Sequence, residues 1–118
     1  MAAQAKTVWV NVPVTKAIAL ARACGELVSL ISIKSPLGID CTVIVIEKYY
    51  ARMAASSVAT LVFEPFSGNR AGVLDCVKVT CVCAGSGTNP EFGANAHFQK
   101  KILASLKDVA GPAPVVAM

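Results

Sequence analysis

Apolar and polar residues alternate in several short stretches of the chain, and the first of these is TVWVNVPV at residues 7–14. Its four valines fall on one side of an extended chain, while Thr7, Trp9 and Asn11 fall on the other. A period of two is typical of a half-buried β-strand. Pro13 lacks a backbone N–H, so we expect this strand to end there or to lie at a sheet edge.

Two longer stretches follow the period of an α-helix. In the first, Thr15 is the expected N-cap of a helix over residues 16–28, which is rich in alanine and therefore thin enough to lie close on a sheet. In the second, Asn89 is the expected N-cap, Pro90 occupies the first helical position, and the helix continues to about Val109. The expected apolar side of this second helix consists of Phe92, Ala96, Gln99, Ile102, Leu103 and Leu106.

Four more strands are expected between the two helices. They lie at about residues 27–34, 39–53, 57–64 and 73–84. Turn signals separate them, including SPLG at 35–38 and EPFSGNRAG at 64–72. The strand in 39–53 has apolar residues on both faces, which is typical of a strand that is covered on both sides.

The predicted order of elements is β-α-β-β-β-β-α, with short turns between consecutive strands. Such turns favour an antiparallel meander, and a sheet with one apolar face buries it under helices. We therefore predict an α+β fold: a two-layer structure in which an antiparallel sheet of about five strands carries two helices on one face. A single domain is expected over residues 1–110, followed by a short tail at 111–118.

The composition adds a surplus of apolar residues to this fold. Of the 118 residues, 55% are apolar and only 15% are charged, against about 25% charged in an ordinary domain. A small domain with such a surplus usually buries it in an interface with another subunit or uses it to line an internal ligand cavity. We therefore expect a homo-oligomer, with a dimer as the first choice, and allow for a small apolar or anionic ligand.

The charge pattern and the cysteines limit the expected partners and the expected cellular compartment. The net charge of +4 comes from scattered lysines and arginines, whereas nucleic-acid-binding proteins concentrate charge in a patch with aromatic platforms. We therefore expect no nucleic-acid partner. We also expect no membrane span, since no stretch has about 20 nearly uncharged residues. Five cysteines without a secretion signal favour reduced thiols in a cytoplasmic protein. No motif indicates a cofactor.

Cys81 and Cys83 are the first candidates for chemistry. Separated by one residue on a predicted strand, both thiols point to the same face. Such a pair can supply two ligands to zinc, but a structural zinc site needs four, and the only histidine, His97, lies on the polar side of the last predicted helix. Packing of buried cysteines in the core is the favoured interpretation.

A glycine-containing loop is the second candidate. It consists of Gly85, Ser86, Gly87, Thr88 and Asn89, directly before the last predicted helix. A helix N-terminus offers free N–H groups and a positive dipole end to an anion. The loop lacks the pattern of a nucleotide-binding motif, and Pro90 removes one N–H donor. A tight strand-to-helix turn is the favoured interpretation, and an anion site is the alternative.

The segment around Tyr49 and Tyr50 is the third candidate, because Lys48 and Arg52 flank the two rings. Tyrosines beside cations can bind a carboxylate or stack on a planar ligand. Consecutive strand residues face opposite ways, however, so the two rings do not form one cage. A small enzyme would combine Tyr49 or Tyr50 and Arg52 with an acid. The acids available to it are Asp40, Glu47, Glu64 and Asp75.

Four segments together resemble a known family. They are VIEKYYAR with SSVATLVFE, then AGSGTN, then FGANAHFQKKILASL, within residues 42–108. This combination resembles a family of small uncharacterised bacterial α+β proteins, which share an EKYY-type strand, a Gly-Ser-Gly strand end and a C-terminal helix carrying a phenylalanine. The resemblance implies a bacterial cytoplasmic α+β domain and carries no activity with it.

The sequence thus favours a non-catalytic module that oligomerises through an apolar sheet face and has room for a small ligand. A small enzyme using the tyrosine segment is the second hypothesis. A thiol or metal protein using Cys81 and Cys83 is the third.

Overall fold

A computed structural model of the chain describes residues 5–34, 40–51, 55–66, 76–84 and 94–111. The elements are β1 (Ala5–Val10), α1 (Val14–Arg22), β2 (Glu26–Lys34), β3 (Asp40–Tyr50), β4 (Ala55–Phe66), β5 (Cys76–Ala84) and α2 (Ala94–Lys107). The predicted α+β class and the predicted order of elements are both confirmed.

The five strands form one antiparallel sheet in the order β1-β5-β4-β3-β2. Strands β2 to β5 are the predicted meander, in which each strand pairs with the next along the chain. Strand β1 pairs with β5 at the far side of the sheet, so the connection through α1 carries the chain from one sheet edge to the other. Strands β1 and β2 are therefore the two edge strands.

Both helices lie on one face of the sheet, as predicted, and the core lies between them and the strands. The sheet contributes alternate residues of the inner strands, among them Ile44, Leu61, Phe63 and Val79, and all four are fully buried. The helices contribute Ala17 and Ala21 from α1 and Phe98, Ile102 and Leu106 from α2. Both helices pack mainly on β4 and β5, so the β2 side of the sheet receives little cover.

The start of α1 differs from the prediction. The helix begins at Val14 and its N-cap is Pro13, which makes no side-chain cap, so the assignment of Thr15 as N-cap was wrong. Pro13 has the extended backbone of an N-cap residue, and its carbonyl accepts the N–H groups of Lys16 and Ala17. A proline suits this place because the first N–H groups of a helix have no partner within it. Strand β1 accordingly ends at Val10 rather than at residue 14.

The buried side of α2 also differs from the prediction. Phe98 is fully buried on the sheet, together with Ile102 and Leu106, whereas Ala96 is exposed. Residues four apart lie on one side of a helix, so 98, 102 and 106 form a single row. The sequence interpretation placed Gln99, Ile102 and Leu106 correctly on the buried side, but it included Ala96 and missed Phe98. The predicted caps Asn89 and Pro90, and Phe92, lie outside the described residues.

Two residues of the predicted turn, Pro65 and Phe66, belong to a strand. Strand β4 continues to Phe66 and includes Pro65, which pairs with Val77 of β5. The pairing of β3 with β4 ends at Thr42 and Phe63. At Pro65 the strand therefore has a neighbour on one side only, which is where a sheet tolerates proline.

The two edge strands of the sheet differ in the hydrogen bonds on their outer sides. The segment after α2 runs along the end of β1: Asn11 donates its N–H to the Val109 carbonyl at 2.8 Å, and Gly111 donates to the Trp9 carbonyl at 2.8 Å. Ala110 forms a β-bridge with Val10. Among the described residues, no segment pairs with the outer edge of β2. Within the described residues, the chain thus covers part of the β1 edge and none of the outer edge of β2.

Gly25, between α1 and β2, allows a close approach to β3 that a larger residue would prevent. A Cβ there would lie 2.8 Å from the Glu47 carbonyl oxygen and 3.1 Å from the Phe98 ring. We predict that Gly25→Ala lowers the free energy of unfolding by about 1–3 kcal/mol, the usual cost of overpacking, in urea denaturation followed by circular dichroism.

Gly111→Ala is the matched control. The three atoms nearest to its Cβ all belong to the side chain of Asn11, which is exposed and can rotate away, so we expect a change within about 0.5 kcal/mol. Equal effects of the two substitutions would contradict the assignment of Gly25 to a backbone contact.

Candidate functional site

The tyrosine segment does not form one site. Tyr49 is 63% exposed and pairs with Ser56 on the face that carries no helix. Tyr50 points to the other face, where its ring packs against the core beside α2. The predicted opposite orientation of the two rings is therefore confirmed. Arg52 lies outside the described residues.

Tyr50 has a defined environment under α2. The His97 ring lies edge-on at 5.4 Å between centroids and the Phe98 ring at 6.3 Å, while the Lys48 ammonium lies 5.7 Å from the Tyr50 centroid. His97 is exposed, as expected for the polar side of the helix, yet its ring reaches the sheet. The sequence interpretation did not anticipate this contact, because it depends on where α2 lies relative to the end of β3.

The Tyr50 hydroxyl is the one described buried side-chain polar atom without a hydrogen-bond partner. Burial is the main cause that raises the pKa of this phenol, and the nearby thiols of Cys83 and Cys24 raise it further. The hydroxyl therefore stays protonated at neutral pH. A neutral phenol held among thiols and rings can donate a hydrogen bond, but no described acid or base accepts from it.

Cys81 and Cys83 point to the same buried face of β5, as predicted, and their Sγ atoms lie 4.0 Å apart. The hydrogen bond between them raises the pKa of Cys81, with burial adding to the shift, and lowers the pKa of Cys83. The Cys81 thiol therefore keeps its proton more strongly than the Cys83 thiol does. Above them, the Gln99 side chain of α2 donates to the Cys81 carbonyl at 2.9 Å.

Four of the five cysteines are buried, and Cys41 is half-buried. The prediction that most of the cysteines pack in the core is confirmed for these positions, and their reduced state stays a prediction. No group of three or more histidine, cysteine or acidic residues among the described residues is placed to hold a metal ion. The Cys81 and Cys83 pair therefore supplies two ligands at most, where a structural zinc site needs four.

The glycine loop cannot be placed against these groups, because Gly85, Ser86, Gly87, Thr88 and Asn89 lie outside the described residues. What the structure does show is an anchor at the first turn of α2. The fully buried Ser57 hydroxyl donates to the Asn95 side-chain oxygen at 2.7 Å. The anion site at this loop stays a prediction.

The acidic candidates are separated and lie near solvent. Asp40 and Glu47 are exposed on β3, and Glu64 is partly exposed on β4, opposite Lys78 of β5. Asp75 lies outside the described residues. The three described carboxylates all lie away from the Tyr50 hydroxyl, since Asp40 is at the far end of its strand and the other two point to the opposite face.

The helix-free face of the sheet is an apolar surface that we call the open face. Near its β1 end the rings of Trp9 and Phe66 pack at 5.3 Å between centroids, with the Lys78 ammonium 6.0 Å from the Trp9 ring. The remainder is mostly aliphatic. Its aliphatic and small residues are Ile31, Ile33, Cys41, Val43, Val45, Val58, Thr60, Val62, Thr80 and Val82. Polar residues on the same face include Glu26, Ser29, Glu47, Tyr49 and Glu64.

Strand β2 is the most exposed apolar element of the chain. Ile31 and Ile33 on the open face are 52% and 51% exposed, and Leu30 on the helix side is 47% exposed. The sequence predicted a strand here but not its exposure. The available signal was the run LVSLISI, which is apolar on both faces and bounded by Glu26 and Lys34.

Comparison with known proteins adds no assignment. No protein-family model matches the chain, and no curated protein matches it significantly. The resemblance to small bacterial α+β proteins therefore stays a prediction. No helix among the described residues is long and apolar enough to cross a membrane.

The thiol pair generates a prediction about alkaline pH. Above about pH 8.5 both thiols ionise in the unfolded chain, while the fold keeps the proton of Cys81, whose pKa is raised. The folded state then binds one proton more, so we expect stability to fall by about 1.4 kcal/mol per pH unit from this pair. Urea denaturation between pH 8 and pH 10.5 measures the slope.

Cys81→Ala with Cys83→Ala removes both titrating groups of the pair. We expect the alkaline slope of this double variant to be smaller by about one proton. Cys41→Ala, on the open face, is the control and should leave the slope unchanged. A double variant with the wild-type slope would show that the pair holds no proton preferentially in the fold.

Proposed function

We propose that this protein is a non-catalytic module that self-associates, as a dimer, through the apolar sheet surface that its own helices leave uncovered. The observation that carries the proposal is the exposure of Ile31 and Ile33, which are about half exposed beside further aliphatic residues of the open face. Large apolar side chains next to one another on a small domain are typical of an interaction surface.

The energetics support association. Burying apolar surface contributes about 25 cal/mol per Å², and isoleucine and leucine lose little rotamer freedom on burial compared with long charged side chains. The exposed carboxylates and ammonium groups lie toward the strand ends, as with Glu26 and Lys34. An apolar centre with a charged rim is the usual arrangement of a protein interface.

Catalysis has less support from the described residues. A general acid or base must lie within hydrogen-bond reach of the group that it serves. Tyr49 and Tyr50 point to opposite faces, and the described acids are dispersed over strand surfaces. The thiols of Cys81 and Cys83 lie under α2 in the core. The exposed aliphatic side chains, in contrast, lie next to one another, and this arrangement favours self-association.

Sedimentation equilibrium of the untagged protein over a hundredfold concentration range tests the proposal. We expect the wild type to reach the dimer mass. Ile31→Lys with Ile33→Lys should give a folded monomer at the same concentrations, because two charges per copy would have to be desolvated in the interface.

Ala19→Lys is the control, since Ala19 is an exposed position of α1 away from the sheet. It adds a charge without touching the proposed surface and should leave the dimer intact. A wild type that stays monomeric over the whole range, with circular dichroism showing a folded protein, would overturn the proposal.

A further inference from the structure

We propose that the outer surface of the two helices binds the anionic surface of a phospholipid bilayer, with both helices lying flat on the lipid headgroups. We call this surface the basic helix surface. It consists of Lys16 and Arg22 of α1 and Lys100, Lys101 and Lys107 of α2. It lies on the side of the sheet opposite to the open face, so a second copy on the open face leaves it accessible. The inference is therefore independent of the proposed self-association.

The charge of the helices provides the first argument. All five cations of the basic helix surface are exposed. Neither helix contains an aspartate or a glutamate, and Asp108 directly follows α2. These cations are scattered along the sequence, but the fold gathers them because the two helices contact each other on the same side of the sheet. A cluster of about four to eight lysines and arginines next to a membrane attracts anionic lipids.

The antiparallel arrangement of the helices makes this cluster a patch instead of a single row. The start of α1 lies near the end of α2, because Asn11 donates its N–H to the Val109 carbonyl at 2.8 Å. At the other end, a Cβ at Gly25, just after α1, would lie 3.1 Å from the ring of Phe98, near the start of α2. Cations near both ends of α1 and in the middle and last turn of α2 therefore cover the layer in two directions.

The acids on the opposite side of the sheet provide the second argument. Glu26, Glu47 and Glu64 all lie on the open face. Lys78 is the one cation on that face within the part of the chain that the structure describes. Cations on one side of a small protein and acids on the other turn its basic side toward an anionic surface during approach. The charge distribution thus specifies that the helices face the lipid.

The side chains between the cations favour a bilayer over a nucleic acid. Proteins read nucleic acids with aromatic stacking platforms and with arginine, asparagine or glutamine on base edges. The other exposed residues of the two helices are Thr15, Ala19, Ala96, His97 and Ala104. Lysine is a point charge that needs no fixed geometry from its phosphate. Among the described residues, the exposed large apolar side chains all lie on strands, so we expect the helices to adsorb on headgroups without inserting.

Vesicle sedimentation of the full-length protein tests the inference. We expect the wild type to bind vesicles of phosphatidylcholine with about 30% phosphatidylserine, whose surface is negative. With vesicles of phosphatidylcholine alone it should stay in the supernatant. Raising the salt concentration from about 0.1 M to about 0.5 M should release the bound protein, because salt screens exposed charges.

Neutralising substitutions locate the binding surface. Lys101→Gln should lower the vesicle partition coefficient about fivefold, the contribution of one lysine near an anionic surface. Lys16→Gln with Arg22→Gln should lower it about 25-fold, since both helices face the lipid. Lys78→Gln is the matched control, because it removes the same charge from the open face, and the coefficient should stay within about twofold of the wild type.

The contrary outcomes are distinct. Equal losses in Lys101→Gln and Lys78→Gln would show that net charge governs binding, and would overturn the assignment to the basic helix surface. Double-stranded DNA of random sequence, measured by fluorescence anisotropy, might compete for the same cations; tighter binding to DNA than to vesicles per phosphate would overturn the choice of a bilayer. A wild type that fails to bind the anionic vesicles at low salt would refute lipid binding and leave self-association untouched. Thermal unfolding of every variant confirms that the fold persists.

Discussion

The contact of two short helices with one side of the β4 and β5 strands determines most of this structure. Alanines at 17 and 21 allow α1 to approach closely, and Phe98, Ile102 and Leu106 fill the space under α2. Because the helices lie mainly over β4, the central strand, and β5 on one side of it, the β2 side of the sheet receives less cover. The burial of the Cys81 and Cys83 thiols, the enclosure of the Tyr50 hydroxyl and the exposure of the β2 side chains all follow from where these helices lie.

Much of the fold could be predicted from periodicity, since period-two alternation is a local property of a strand. It placed all five strands, identified the meander and correctly set Tyr49 and Tyr50 on opposite faces. Local rules failed where two signals competed. Pro13 indicates the end of a strand, and Thr15 is a common type of helix N-cap residue. The structure nevertheless has Pro13 as the N-cap of α1, because the fixed backbone of proline suits that position.

The rest depended on contacts between distant parts of the chain. The row of Phe98, Ile102 and Leu106 was visible in the sequence, but the choice between it and the row through Ala96 is made by the sheet beneath. The His97 contact with Tyr50 likewise depends on where α2 lies relative to the end of β3. The run LVSLISI was a partial signal for the exposure of β2, but an inner strand could have the same residues. Its position at the edge follows from the pairing of β1 with β5.

The segment Val109–Gly111, which hydrogen-bonds along the end of β1, has a consequence for the size of any assembly. A sheet with two bare edges can add neighbours at both and grow into a fibre, as open head-to-tail contacts do. Because Val109–Gly111 hydrogen-bond to the backbone of Trp9 and Asn11, those backbone groups are no longer open to a strand of another molecule. Three residues close to the last helix therefore protect this end of β1 from lateral pairing.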